Sequence, residues 1–119
     1  MEDIKYRTYR FSVSMIKFLK DQNWNTKLNV PIFNQLIRSG TSIGANVLEG
    51  RSGNSDREMI KYYRIALKSA NETKYWLCLL RDGLNTKGAG LEKLLSEVVE
   101  ISKIIAASII TMSKKLNNK

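Results

Sequence analysis

Apolar side chains recur every three or four positions along nearly the whole chain, and no stretch alternates for long enough to predict a strand. Ile4, Thr8, Phe11, Met15 and Phe18 step 4-3-4-3 and predict a first helix ending near Asn23. Residues 24–30 are polar, lack that period and read as a loop. Pro31 then suits the first turn of a second helix, whose seam is Phe33, Leu36, Gly40, Ile43 and Val47 and which reaches about Glu49. Residues 50–54 read as a turn. Ser55 and Glu58 follow with the spacing of a capping box, opening a third helix with seam Met59, Tyr63, Ala66, Ala70, Thr73, Leu77 and Leu80. That helix is expected to stop at Asp82-Gly83 with a glycine cap. Residues 83–90 hold three glycines and read as a loop. Leu91 opens the fourth helix, whose seam is Leu94, Val98, Ile101, Ile105, Met112 and Leu116. Four long helices joined by short loops predict an all-α protein, an antiparallel up-down-up-down four-helix bundle filling residues 1–119 as one domain.

Gly40 and Gly44 sit one turn apart inside the second helix, flanked by Ser39, Ser42 and Ala45. Interior glycines cost about 1 kcal/mol each against alanine, so a compensating contact is expected. The simplest is close approach to the third helix at Ala66, Ser69 and Ala70. A phosphate cradle is excluded, because no Gly-Lys-Ser/Thr follows and no strand precedes.

Composition narrows the chemistry. The chain has 119 residues, no histidine and one cysteine (Cys78), which removes zinc sites of the usual kind, Ser-His-Asp triads and Cys-His dyads. A lone cysteine forms no internal disulfide and fits a reducing compartment. The start of the chain is acidic without an apolar run, and the longest apolar stretch, residues 104–112, falls far short of the roughly 20 residues that span a bilayer. A soluble cytoplasmic protein without membrane partner is expected. Twenty Lys and Arg against eleven Asp and Glu give a formal charge of +9, which points to a polyanionic partner.

Residues 35–50 (QLIRSGTSIGANVLEG) resemble the signature of the small bacterial four-helix-bundle family of 23S rRNA intervening-sequence proteins. The SDRE of residues 55–58 and IALKSANETKYWL of residues 65–77 are similar to the family's third helix. The likeness runs from about residue 4 to 116, with Gly40-Thr41 and Gly44 standing where many members have Ala-Ala and Pro. The resemblance implies a homo-oligomer, a five-fold ring, without enzymatic activity or cofactor. It carries the label of a putative ribosomal protein, and a related group assists the reverse transcriptase of diversity-generating retroelements.

Three sets of residues are candidates for function. On the third helix Arg57, Lys61, Arg64 and Lys68 are spaced 4-3-4, so they form one column about 16 Å long opposite the seam. Tyr75 continues that column and offers a ring on which a base can stack. Arg10 and Lys17 form a weaker basic pair on the first helix. The motif itself carries a polar column, Arg38, Ser42, Asn46 and Glu49, suited to hydrogen bonds within the bundle or between subunits. A catalytic role for Glu49 lacks a second acid, metal ligand or nucleophile. Finally, the apolar residues of the third helix cover roughly 220° and those of the fourth roughly 180°, wider than a bundle core needs. Tyr62, Ile65, Trp76 and Leu79 are therefore expected at a subunit interface, and two different apolar flanks suit a head-to-tail ring. The expected function is RNA binding, plausibly ribosomal RNA, by basic helix faces. The alternative is a protein-interaction scaffold or accessory factor for a nucleic-acid enzyme such as a reverse transcriptase, which salt-dependent RNA binding would separate from the first reading.

Overall fold

Asp3 starts the first helix. Its carboxylate accepts the Lys5 N–H at 3.0 Å and so satisfies one of the free amides that open any helix. The computed structural model describes residues 2–53 and 55–118, in which the chain forms α1 (Ile4–Lys20), α2 (Asn29–Ser52), α3 (Asp56–Gly83) and α4 (Ala89–Asn117). No strand occurs among the described residues. Each helix packs on its neighbour in sequence and α4 returns to α1, while the two diagonal pairs make no close backbone approach. The result is the antiparallel four-helix bundle read from the periodicity, 54 × 21 × 21 Å in extent. Its core runs from Ile4, Phe11 and Met15 through Leu36, Ile43, Leu77, Ile101 and Ile105.

The seams differ from the expected ones in a consistent way. Leu19 is buried in α1 while Phe18 is half-buried, and in α3 Ile60 takes the buried place expected for Met59. In α4 Ile109 is buried, whereas Met112 and Leu116 pack only against the rim of the core. A strict 4-3 repeat drifts about 20° per heptad on a straight helix, so after two or three turns the buried stripe moves to the adjacent residue.

The ends also differ. α1 stops at Lys20, three residues early, where the Trp24 indole donates to the Leu19 carbonyl at 2.7 Å and folds the chain back. α2 begins at Asn29, whose N–H is accepted by the Thr26 hydroxyl at 3.2 Å; Pro31 falls among the first residues, where no amide partner is lost. At its other end α2 runs through residues 50–52, which had read as a turn; Asn54 lies outside the described residues. Gly50 is helical, and a Cβ there would stand 3.2 Å from Tyr62 Cβ and 3.3 Å from the Met59 carbonyl, so glycine relieves a tight approach of α3. Gly83 is the last residue of α3 and not a left-handed cap; the positive φ of that connection falls on Asn85, at 55°. α4 opens at Ala89, two residues before Leu91, after Gly88 at φ 121°.

Gly40 and Gly44 face α1 and not, as expected, α3. A Cβ at Gly44 would lie 3.3 Å from the Thr8 carbonyl, and one at Gly40 would run into the Met15 thioether. The contact with α3 is made instead by hydroxyls. Ser69 donates to Ser42 Oγ at 3.0 Å, and Thr73 Oγ1 is hydrogen-bonded to Ser39 Oγ at 2.9 Å and to the Ser69 carbonyl at 2.7 Å.

Candidate nucleic-acid interface

α3 positions the basic column. Ser55 caps its start by accepting the Glu58 N–H at 3.1 Å, and Ile60, Tyr63, Ala66 and Ala70 pin its inner face in the core. The residues half a turn away must then face water. Arg57, Lys61, Arg64 and Lys68 are all exposed, and among the described residues none of them meets a carboxylate. Lys61 Nζ rests 5.1 Å from the Tyr62 ring centroid. Three of the four, Arg57, Lys61 and Arg64, line a shallow groove of about 390 Å³ whose far wall is Ser113, Leu116 and Asn117 of α4. Tyr75 is exposed, and its ring forms a T-shaped pair with Trp76 at 5.3 Å between centroids.

Arg10 and Lys17 lie elsewhere. They border a groove of about 730 Å³ between α1 and α4, together with Ser14, Asp21 and Lys93. Arg10 is ion-paired with Glu2, and Glu97 in the same groove is held by Arg7 through two bonds of 2.8 Å. That bond raises the Arg7 guanidinium above its usual value. Lys93 was missed in the sequence because it sits among glutamates on α4; only the packing of α4 against α1 brings it to Lys17.

The motif column divides. Asn46 donates to the Ser42 carbonyl at 2.8 Å and to Ser42 Oγ at 2.9 Å, so both belong to the hydroxyl chain between α2 and α3. Arg38 and Glu49, at its two ends, are exposed and their side chains have no partner among the described residues. No group of three or more His, Cys, Asp or Glu suited to a metal occurs among the described residues.

Of the expected interface residues only Ile65 is exposed, at 40%. Tyr62, Trp76 and Leu79 are half-buried; Tyr62 lies against Gly50 of α2, and Trp76 packs on the core rim while its indole donates to Glu72 at 3.2 Å. The larger apolar exposure lies on α1 and α2, at Tyr6, Tyr9 and Leu48. These residues enclose a groove of about 620 Å³ with Gly44, Ala45, Thr41 and Ser12. Tyr6, Tyr9 and Ile16 stand off the α1 seam, a signal of apolar exposure legible in the sequence alongside the wide apolar arcs of the third and fourth helices. No helix among the described residues is long and apolar enough to cross a membrane.

An antiparallel bundle with an exposed cationic column on one helix defines the molecule as a small basic four-helix-bundle protein. The chain belongs to the family described as 23S rRNA-intervening sequence protein, which matches residues 3–107. It is similar to a solved structure from Bacteroides thetaiotaomicron, a protein of unknown function from the S23 ribosomal protein family. The two share 34% identity over 90% of this chain and 98% of that one, with a TM-score of 0.78. No curated protein matches the chain.

Proposed function

We propose that the protein is a non-catalytic homo-oligomer, a pentamer on the family likeness, that binds RNA in the cytoplasm through the α3 column, with ribosomal RNA as the first candidate. The observation that supports this reading is the column itself. Four exposed cations, Arg57, Lys61, Arg64 and Lys68, stand within about 16 Å with no carboxylate partner among the described residues, on a chain of charge +9. Phosphates neutralised by such a row release counterions, so affinity for RNA should fall linearly with the logarithm of salt, at about 0.7 log unit per phosphate on a single strand. Arg57→Glu with Arg64→Glu should abolish binding and leave helicity unchanged. Binding that ignores salt, or that survives both changes, overturns the proposal.

A second reading, a scaffold or accessory factor for a nucleic-acid enzyme, is favoured by one observation, the apolar groove between Tyr6, Tyr9 and Leu48. Under that reading the charge serves solubility, and the double arginine variant would leave the protein's activity intact.

A further inference from the structure

We infer that the RNA track does not end on α3 but crosses α4 obliquely to the groove formed by Arg10, Lys17 and Lys93, so that one strand is held at both ends of the bundle. This rests on the RNA-binding reading above.

The placement follows from the packing. α4 lies between α3 and α1, and it supplies one wall of each basic groove. The α3 column begins at the end of the bundle where α4 finishes, as the 3.8 Å pair of Lys115 with Asp56 marks. The second groove lies at the opposite end, where α4 starts: a Cβ on Gly90 would stand 3.1 Å from the Phe18 ring. The two sites are therefore on opposite sides of α4 and at opposite heights. Antiparallel helices of this length at 1.5 Å per residue put Arg57 and Lys93 about 35 Å apart along the axis. A strand stacked as in a duplex, with one charge per roughly 3.4 Å, covers that distance in about ten nucleotides, and an extended single strand needs fewer.

The charges along the way are of the right kind. Lys17 and Lys93 are exposed, and among the described residues neither has a carboxylate partner. Of the two acids in the groove, Glu97 is occupied by Arg7, which leaves Asp21 at its edge. Lys114 stands beside the α3 groove, unpaired among the described residues, and between the two grooves the outer face of α4 offers Lys103, whose ammonium is 3.9 Å from Glu100. A strand on this path meets cations at both ends and, between them on α4, the exposed Lys103–Glu100 pair. Smooth counterion release along such a path adds affinity in proportion to the phosphates covered.

The test compares oligouridylates of about 5 and about 15 nucleotides by fluorescence anisotropy across a salt series, on the full chain, with circular dichroism as the check on folding. Lys17→Gln with Lys93→Gln removes two exposed charges. On the longer oligomer the log-log salt slope should fall by about 1.4, two phosphates at about 0.7 each, with weaker binding. The shorter one, held by the α3 column alone, should bind as before. If the double lysine variant leaves the longer oligomer unchanged, or weakens both lengths alike, the oblique track is wrong. The RNA-binding reading survives that result provided Arg57→Glu with Arg64→Glu still abolishes binding. If the unaltered protein shows no salt-dependent binding, both fall together.

Discussion

The guanidinium of Arg51 forks onto Asp3, with Nη1 2.7 Å from Oδ1 and Nη2 3.0 Å from Oδ2, and ties the end of α2 to the start of α1. The same Oδ1 caps α1 through the Lys5 N–H. The Arg51 hydrogen bonds, and after them the Lys5 amide, hold the Asp3 carboxyl at about 2, below its usual range.

A folded-state value below the unfolded one means that the carboxylate stabilises the fold above about pH 4 and that this contribution is lost as pH falls towards 2. Thermal melts between pH 5 and 2 should therefore show a decline that Asp3→Asn largely removes. Asp3→Asn should also melt lower than the parent at neutral pH, because the ion pair goes while a weaker cap remains. Identical pH profiles for the two proteins would refute the clamp.

The hydroxyl chain makes a different prediction. Thr73 is fully buried and bonded to Ser39 on α2. Thr73→Val keeps the shape but leaves the Ser39 hydroxyl short of a partner, at a cost of about 1–3 kcal/mol. Adding Ser39→Ala should recover part of that loss, so denaturant titrations of the double variant should show less than the sum of the two single effects.

Glycines separate by what surrounds them. Gly83 ends α3 with nothing within 4 Å of a Cβ, so Gly83→Ala should stabilise by about 0.5–1 kcal/mol. Gly50 meets the Met59 carbonyl and Tyr62 instead, and there Gly50→Ala should lose about 1 kcal/mol despite its better helix propensity. Urea midpoints decide both, and equal shifts for the two would contradict the contact geometry.

Assembly is checked by light scattering at micromolar concentration. The expected mass is a multiple of 13.6 kDa. Leu48→Glu and Ile65→Glu each place a charge on an exposed apolar position and should each reduce that mass. A monomeric parent protein ends the proposal of a homo-oligomer.

Reverse-charge substitution on α3 should act on binding and not on folding. Lys61→Glu with Lys68→Glu lies on the solvent side of a helix whose inner face is fully buried, so the melting temperature should move by no more than a degree or two while RNA affinity falls. Loss of fold in this variant would mean that the column carries a structural contact.

The sequence by itself determined the four helices, their order and the outward column on α3, because each depends on spacing within one helix and on the 3.6-residue turn. Arg57 and Lys68 share one face of α3 whatever the rest of the chain does. It also carried the family likeness in residues 35–50. What only the tertiary structure decided are the relations between helices. The period does not say which neighbour Gly44 faces, and packing turned it to Thr8 on α1 while giving α3 the serines. Nor does it say that Trp76 is half-buried while Tyr6, Tyr9 and Leu48 stay exposed. Lys93 joined Lys17 for the same reason: a side chain's partners across a groove are set by how two helices rotate against each other, and that rotation is fixed by the volume of every residue in the shared core.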